Sequence, residues 1–152
     1  MPTKREVLKV VMSIFDPLGM LGNYMVRAKI LLQDIWRSSL NWDEEISQAL
    51  FKRWKIWLQG LQQIKDLKID RCYNVHFKQI INIQLHIFCD ASEQAFATVA
   101  YFRFEIGNEI KIVLCQESRN QVAPLKRLTI PRLELQAAVM GSRLAKTIKK
   151  RT

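Results

Sequence analysis

The sequence predicts an α+β chain in which an N-terminal helical unit is followed by three antiparallel strands and one further helix. Three observations carry that prediction. Apolar residues recur at helical spacing through residues 1–64, alternate with the period of strands from Gln84 onward, and return to helical spacing after Pro131. The expected division is a helical unit at 1–64, a connector at 65–83 and a strand-and-helix region at 84–152.

The first helix opens on Thr3-Lys4-Arg5-Glu6, a capping box whose hydroxyl and carboxylate satisfy free amides, with Val7, Val10, Val11 and Ile14 on one face. Asp16-Pro17-Leu18-Gly19 is expected to end it, because proline removes a donor and Asp-Pro-x-Gly suits a type I turn. A second helix runs from about Asn23 to Ser38 on Met25, Ala28, Leu32, Ile35 and Trp36. Asp43 is the expected cap of a third, carrying Ile46, Leu50, Trp54, Trp57, Leu61 and Ile64. All four tryptophans fall in this part, and core packing between helices accounts for them more simply than nucleobase stacking. Strands follow at 85–90, 95–104 and 110–115, with a turn at Ile106-Gly107-Asn108. The polar stretch from Gln116 to Leu128 reads as a loop, and Pro131 opens the last helix. There Leu133, Ala137, Met140, Leu144 and Ile148 form the apolar stripe, while Ala138, Gly141 and Ala145 make a smooth second face for close packing on a sheet.

With 152 residues and 49% hydrophobic composition the chain can bury a core. Its net charge of +10 favours a polyanionic partner, since neutralising phosphates with Lys and Arg drives non-specific nucleic-acid binding. The excess is uneven. Residues 1–66 hold 10 Lys+Arg against 7 Asp+Glu, and residues 67–152 hold 14 against 7. The candidate phosphate contacts are Arg119, Lys126, Arg127, Lys146, Lys149, Lys150 and Arg151; the last four also suit the negative end of a helix macrodipole, and both roles stay open. Cys72, Cys89 and Cys115 are odd in number and lack zinc-site spacing, so reduced, partly buried thiols are expected. His76 and His86 have no metal partners in sequence. Neither a signal peptide nor a membrane-length apolar run is present, which points to an intracellular protein, cytoplasmic or nuclear, with no membrane partner.

Two groups of motifs carry a family resemblance. Thr3-Lys4-Arg5-Glu6-Val7, Ser13-Ile14-Phe15-Asp16-Pro17-Leu18-Gly19, Val26-Arg27-Ala28-Lys29-Ile30-Leu31-Leu32-Gln33 and Trp42-Asp43 form the first. The second comprises Leu85-His86-Ile87-Phe88-Cys89-Asp90-Ala91-Ser92, Val122-Ala123-Pro124-Leu125-Lys126 and Leu128-Thr129-Ile130-Pro131-Arg132-Leu133-Glu134-Leu135-Gln136-Ala137-Ala138. In this order they resemble the pol polyprotein of BEL/Pao-type LTR retrotransposons, over the segment that follows the reverse-transcriptase palm and the start of the RNase H-like region. Ile69-Asp70-Arg71 stands where relatives tend to have Ile-Pro-Arg. The region also carries a peptidase label in this family, yet no Asp-Thr/Ser-Gly triplet of an aspartic peptidase occurs here.

The resemblance implies that residues 1–64 are a thumb or connection element gripping template and primer, and that residues 84–152 are a truncated RNase H-like fold. It also makes Asp90 and Glu134 the first two catalytic, metal-binding carboxylates of a magnesium or manganese centre. Taken alone, Asp90 suits a local turn with Ala91-Ser92 and Glu134 suits a helix start. Two-metal chemistry needs more hard oxygen ligands than two carboxylates supply, and no acidic residue follows Glu134. The expectations are therefore a polyprotein fragment that binds an RNA–DNA hybrid or other nucleic acid weakly, holds no metal tightly and has no independent catalysis. The alternatives are a nuclease half completed in trans, or a domesticated protein-interaction module. The two carboxylates are expected to approach across the strand-to-helix contact, and strand 85–90 to present an exposed edge open to self-association.

Overall fold

A computed structural model describes residues 1–68 and 80–150, the side chains of 114–117 excepted. Cys72, His76, Ile69-Asp70-Arg71 and most of the expected connector lie outside the described residues, as does Arg151. The helices are α1 (Lys4–Met12), α2 (Gly22–Arg37), α3 (Gln48–Gln63), which runs into a 3-10 turn at Ile64–Asp66, and α4 (Ile130–Lys149). The strands are β1 (Ile80–Ala91), β2 (Ala95–Ile106) and β3 (Glu109–Val122). Two compact units result, Met1–Pro17 with Leu21–Ile69 and Leu18–Met20 with Asp70–Thr152.

In the first unit the capping box forms as the sequence predicts. Thr3 Oγ1 accepts from the Glu6 amide at 3.3 Å, and Glu6 Oε2 accepts from the Thr3 amide at 2.8 Å. The helix stops at Met12 on Ser13, ahead of the proline expected to stop it, and Asp16 Oδ2 instead accepts from the Leu21 amide at the start of α2. Val7, Val11, Ala28, Leu32, Ile35 and Ile46 close the core with Trp54 and Trp57.

Asp43 does not cap α3. Ser47 does, accepting from the Leu50 amide, because Asp43 is engaged by Arg5 through contacts of 2.8 and 3.1 Å. That guanidinium, by its hydrogen bonds, holds the Asp43 carboxyl below the usual carboxylate range, so the pair persists through that range and is lost only as pH falls below it. The same loop is laced to the N-terminus by backbone bonds from Lys4 to Glu44, Arg5 to Trp42 and Ile46 to Pro2. The expectation for the tryptophans holds for Trp54 and Trp57 and fails for Trp36 and Trp42, which are 38% and 45% exposed. Those two rings meet edge to face, and the buried Lys4 ammonium lies 4.4 Å from one and 5.3 Å from the other while donating to the Leu40 carbonyl. An indole face is a favourable neighbour for a cation removed from water, so the rings lid a lysine instead of filling the core.

In the second unit the strands form an antiparallel sheet in the order β1-β2-β3, with α4 packed against β1 and β2. Each strand is longer than its sequence signal. Ile80–Ile83, expected in the connector, belong to β1, and the polar residues through Gln121, expected in a loop, pair with β2 as far as Ala95↔Val122. Within this unit the Ser118 amide and hydroxyl donate to the carbonyls of Leu18 and Gly19, the glycine at φ +73°.

Alternation along β2 buries Phe96, Thr98, Ala100, Phe102 and Phe104 beneath α4. Leu144 and Ile148 meet one end of that row, and Leu133 and Ala137 the other. The smooth face of α4 differs from expectation, since Ala138 is exposed and Gly141 lies within the buried stripe. There a Cβ on residue 141 would run into Cys89 Sγ, Thr98 Oγ1 and Ile87 Cγ2. Cys89 is exposed overall, not partly buried, and so is His86. Among the described residues β1 has β2 as its one neighbour, and Ile81, Ile83 and Phe88 on it are 72%, 52% and 57% exposed.

Candidate nucleic-acid and metal-binding end of the sheet

Asp90 is the penultimate residue of β1, and Glu134 lies in the second turn of α4. Their immediate neighbours meet. Ala91 packs against the apolar cluster of Phe96, Ala123, Leu133 and Ala137, which also takes in Leu128 and Met140. Burial of Leu133 and Ala137 thus pins the start of α4 to the end of β1, and it brings both acidic residues to one end of the unit.

They do not share a face of the sheet. Ile87, Cys89 and Thr98 crowd Gly141 of α4, and Ala91 packs toward Leu133. The register Cys89↔Thr98, Asp90↔Ala97 and Ala91↔Phe96 is unbroken, so strand alternation starts the Asp90 side chain on the side away from α4. A side chain that starts on the far side of the sheet counts against the expected approach straight across the strand-to-helix contact. Asp90 Oδ1 accepts from the Ala91 amide at 2.8 Å, as the local-turn reading anticipates. Glu134 is exposed and makes no hydrogen bond or ion pair among the described residues.

Carboxylate oxygens are the donors that magnesium and manganese prefer. Among the described residues, however, no three His, Cys, Asp or Glu side chains come together to hold an ion. The pair fits such a metal in kind and falls short in number, so no chemical step can be routed through it.

The basic candidates are dispersed. Arg119 stands opposite Thr98 on the α4 side of β3, while Lys126 and Arg127 are exposed in the segment before α4. Lys146 and Lys149 are in the last turn of α4 and Lys150 is its C-cap. At about 100° per residue, Lys146 and Lys150 fall on one face, with Lys149 some 60–100° round from them. Two residues that the sequence reading passed over, Arg132 and Arg143, share the face of Lys146 and Lys150. The helical spacing of Arg132, Arg143, Lys146 and Lys150 carries that signal in the sequence.

A meander of three antiparallel strands followed by a helix across its first two strands, with a carboxylate ending the first strand and another near the start of the helix, is RNase H-like. The chain belongs to the Pao retrotransposon family: residues 3–152 match the family model described as a Pao retrotransposon-like RNaseH-like domain, and this supports its assignment to a BEL/Pao pol region. Comparison with curated proteins and with solved structures gave no match. No described helix is long and apolar enough to cross a membrane.

Proposed function

We propose that this chain supplies the opening strands, the first helix and the first two carboxylates of the RNase H-like unit in a BEL/Pao pol polyprotein. In this reading it binds nucleic acid weakly and without sequence preference, and it does not cleave it alone. Residues 1–64 act as the thumb or connection element. The single observation that supports the reading is the apolar cluster joining Ala91 to Leu133, the immediate neighbours of Asp90 and Glu134.

Magnesium or manganese, when held there, would polarise a phosphoryl oxygen and activate water. Asp90 and Glu134 would hold the ion. Two ligands leave it loosely bound and the attacking water unpositioned, and losing oriented groups of this kind removes several kcal/mol of transition-state stabilisation. The exposed apolar residues of β1 support self-association through the same strand, because unpaired ladder groups recruit another chain.

The test is a titration of a labelled RNA–DNA hybrid at several salt concentrations, with product analysis in magnesium and manganese and sedimentation of the same sample. Expected are salt-sensitive binding, intact hybrid and species larger than a monomer. Metal-dependent cleavage abolished by Asp90→Asn would contradict the absence of catalysis. Failure to bind the hybrid at low salt would favour a protein-interaction module, and a strict monomer would remove the strand-edge contact.

A further inference from the structure

We infer that the outer face of α4 is a phosphate-binding ridge, formed by Arg132, Arg143, Lys146 and Lys150, which lies along the backbone of a nucleic-acid duplex. The inference rests on the nucleic-acid reading above and adds to it the surface and the residues that make the contact. At about 100° per residue these four side chains fall within about 60° of one another. Leu133, Ala137, Leu144 and Ile148, buried against the sheet, centre about 135° away on the same helix. At about 1.5 Å per residue the ridge runs about 27 Å from Arg132 to Lys150.

All four side chains are exposed, and among the described residues none is in an ion pair. The one acidic residue of α4, Glu134, lies off the ridge.

Helix electrostatics do not account for this row. Cations at Lys146 and Lys150 complement the negative end of the macrodipole, whereas Arg132 sits in the first turn, where a positive charge is unfavourable, and Arg143 sits too far from either end to benefit. A straight, unpaired row of like charges fits an extended polyanion. Duplex DNA carries on average a charge about every 1.7 Å of its axis, a density that can attract all four cations without any sequence requirement. An anionic membrane fits less well, because the apolar face that would insert is already packed on the sheet, leaving Ile130, Leu135 and Val139 as the exposed large apolar side chains of the helix.

The measurement is the slope of log K against log salt for the full chain on an RNA–DNA hybrid and on duplex DNA. The variant carries Arg132→Gln, Arg143→Gln, Lys146→Gln and Lys150→Gln, with helix content read by circular dichroism. On the duplex the slope should fall by about 3–4, since each neutralised phosphate contributes about 0.9. If the quadruple variant does not fold, the pairs Arg132→Gln with Arg143→Gln and Lys146→Gln with Lys150→Gln should each lower it by about 2. Arg132→Lys with Arg143→Lys should restore the wild-type slope.

An unchanged slope in a folded variant that still binds overturns the ridge and leaves the functional reading standing. No binding by the wild-type chain overturns both. An equal fall on removing Lys9, Lys52, Lys55 and Lys65 would show undirected charge and overturn the ridge. Vesicles of phosphatidylserine and phosphatidylcholine provide the remaining comparison: vesicle binding lost in the quadruple variant while hybrid binding persists would assign the face to membrane instead.

Discussion

Trp57→Ala is expected to cost about 3–5 kcal/mol of stability in the helical unit, the range for deleting a large aromatic from a core. Trp57 is 6% exposed and stacks on both Trp54 and Tyr24, with ring centroids 5.0 Å apart in each case. Its indole Nε1–H also donates to the Tyr24 carbonyl at 3.2 Å, and the Tyr24 hydroxyl donates back to the Trp57 carbonyl. The substitution therefore removes buried area, two ring contacts and a donor together. Trp57→Phe keeps most of the area and loses the indole donor, so about 1 kcal/mol is expected, the usual net worth of one hydrogen bond. Denaturant unfolding followed by hydrogen exchange in α2 and α3 reads both values. A loss under about 1 kcal/mol for the alanine variant would show that this aromatic stack does not hold the unit together.

Gly141→Leu is expected to cost about 3 kcal/mol or more in the sheet unit, at or beyond the upper end for overpacking. Even an added Cβ meets Thr98 Oγ1 at 2.9 Å and Ile87 Cγ2 at 3.0 Å, with Cys89 Sγ closer still. These atoms belong to two paired strands, so a shift that relieves one contact must be accommodated by the other strand. Gly141→Ala sets two effects against each other. Alanine gains about 1 kcal/mol of helix propensity, and the contacts cost about 1–3. Net destabilisation is expected, with part of it recovered in the double variant carrying Cys89→Ala, which removes the nearest atom. Thermal unfolding of the four proteins in that cycle provides the check. An alanine variant more stable than wild type would mean that α4 does not pack as closely on β1 and β2 as described.

The parts of this fold that were legible in the sequence are those set by neighbours along the chain. Thr3 and Glu6 cap α1 through bonds three residues apart, and the alternation of Phe96 through Phe104 needs nothing beyond β2 to show which side is buried. The features that were missed depend on distant partners. Asp43 has the chemistry of a helix cap, but Arg5, 38 residues away, takes its carboxylate. Trp36 and Trp42 read as core residues because aromatic rings usually are, and their service to the Lys4 ammonium appears only when α1 is brought to them. The far half of β3 is polar and reads as loop; its backbone pairing with β2 owes nothing to side-chain hydropathy. At the site, motif order points to Asp90 and Glu134 as candidates, while the face from which Asp90 rises is a property of the β1–β2 register and could not be seen without it.

The central claim is that Asp90 and Glu134 form one end of an RNase H-like metal site, and manganese-induced broadening of amide resonances tests it most directly. Graded addition of manganese to the full chain should broaden the amides of Asp90 and Ala91 together with those of Leu133, Glu134 and Leu135, at concentrations in keeping with a loosely held ion. Asp90→Asn and Glu134→Gln should each remove the effect at both places, because an ion held by two ligands is lost with either. Broadening at one segment without the other, or persistence of both in either variant, would contradict a shared site.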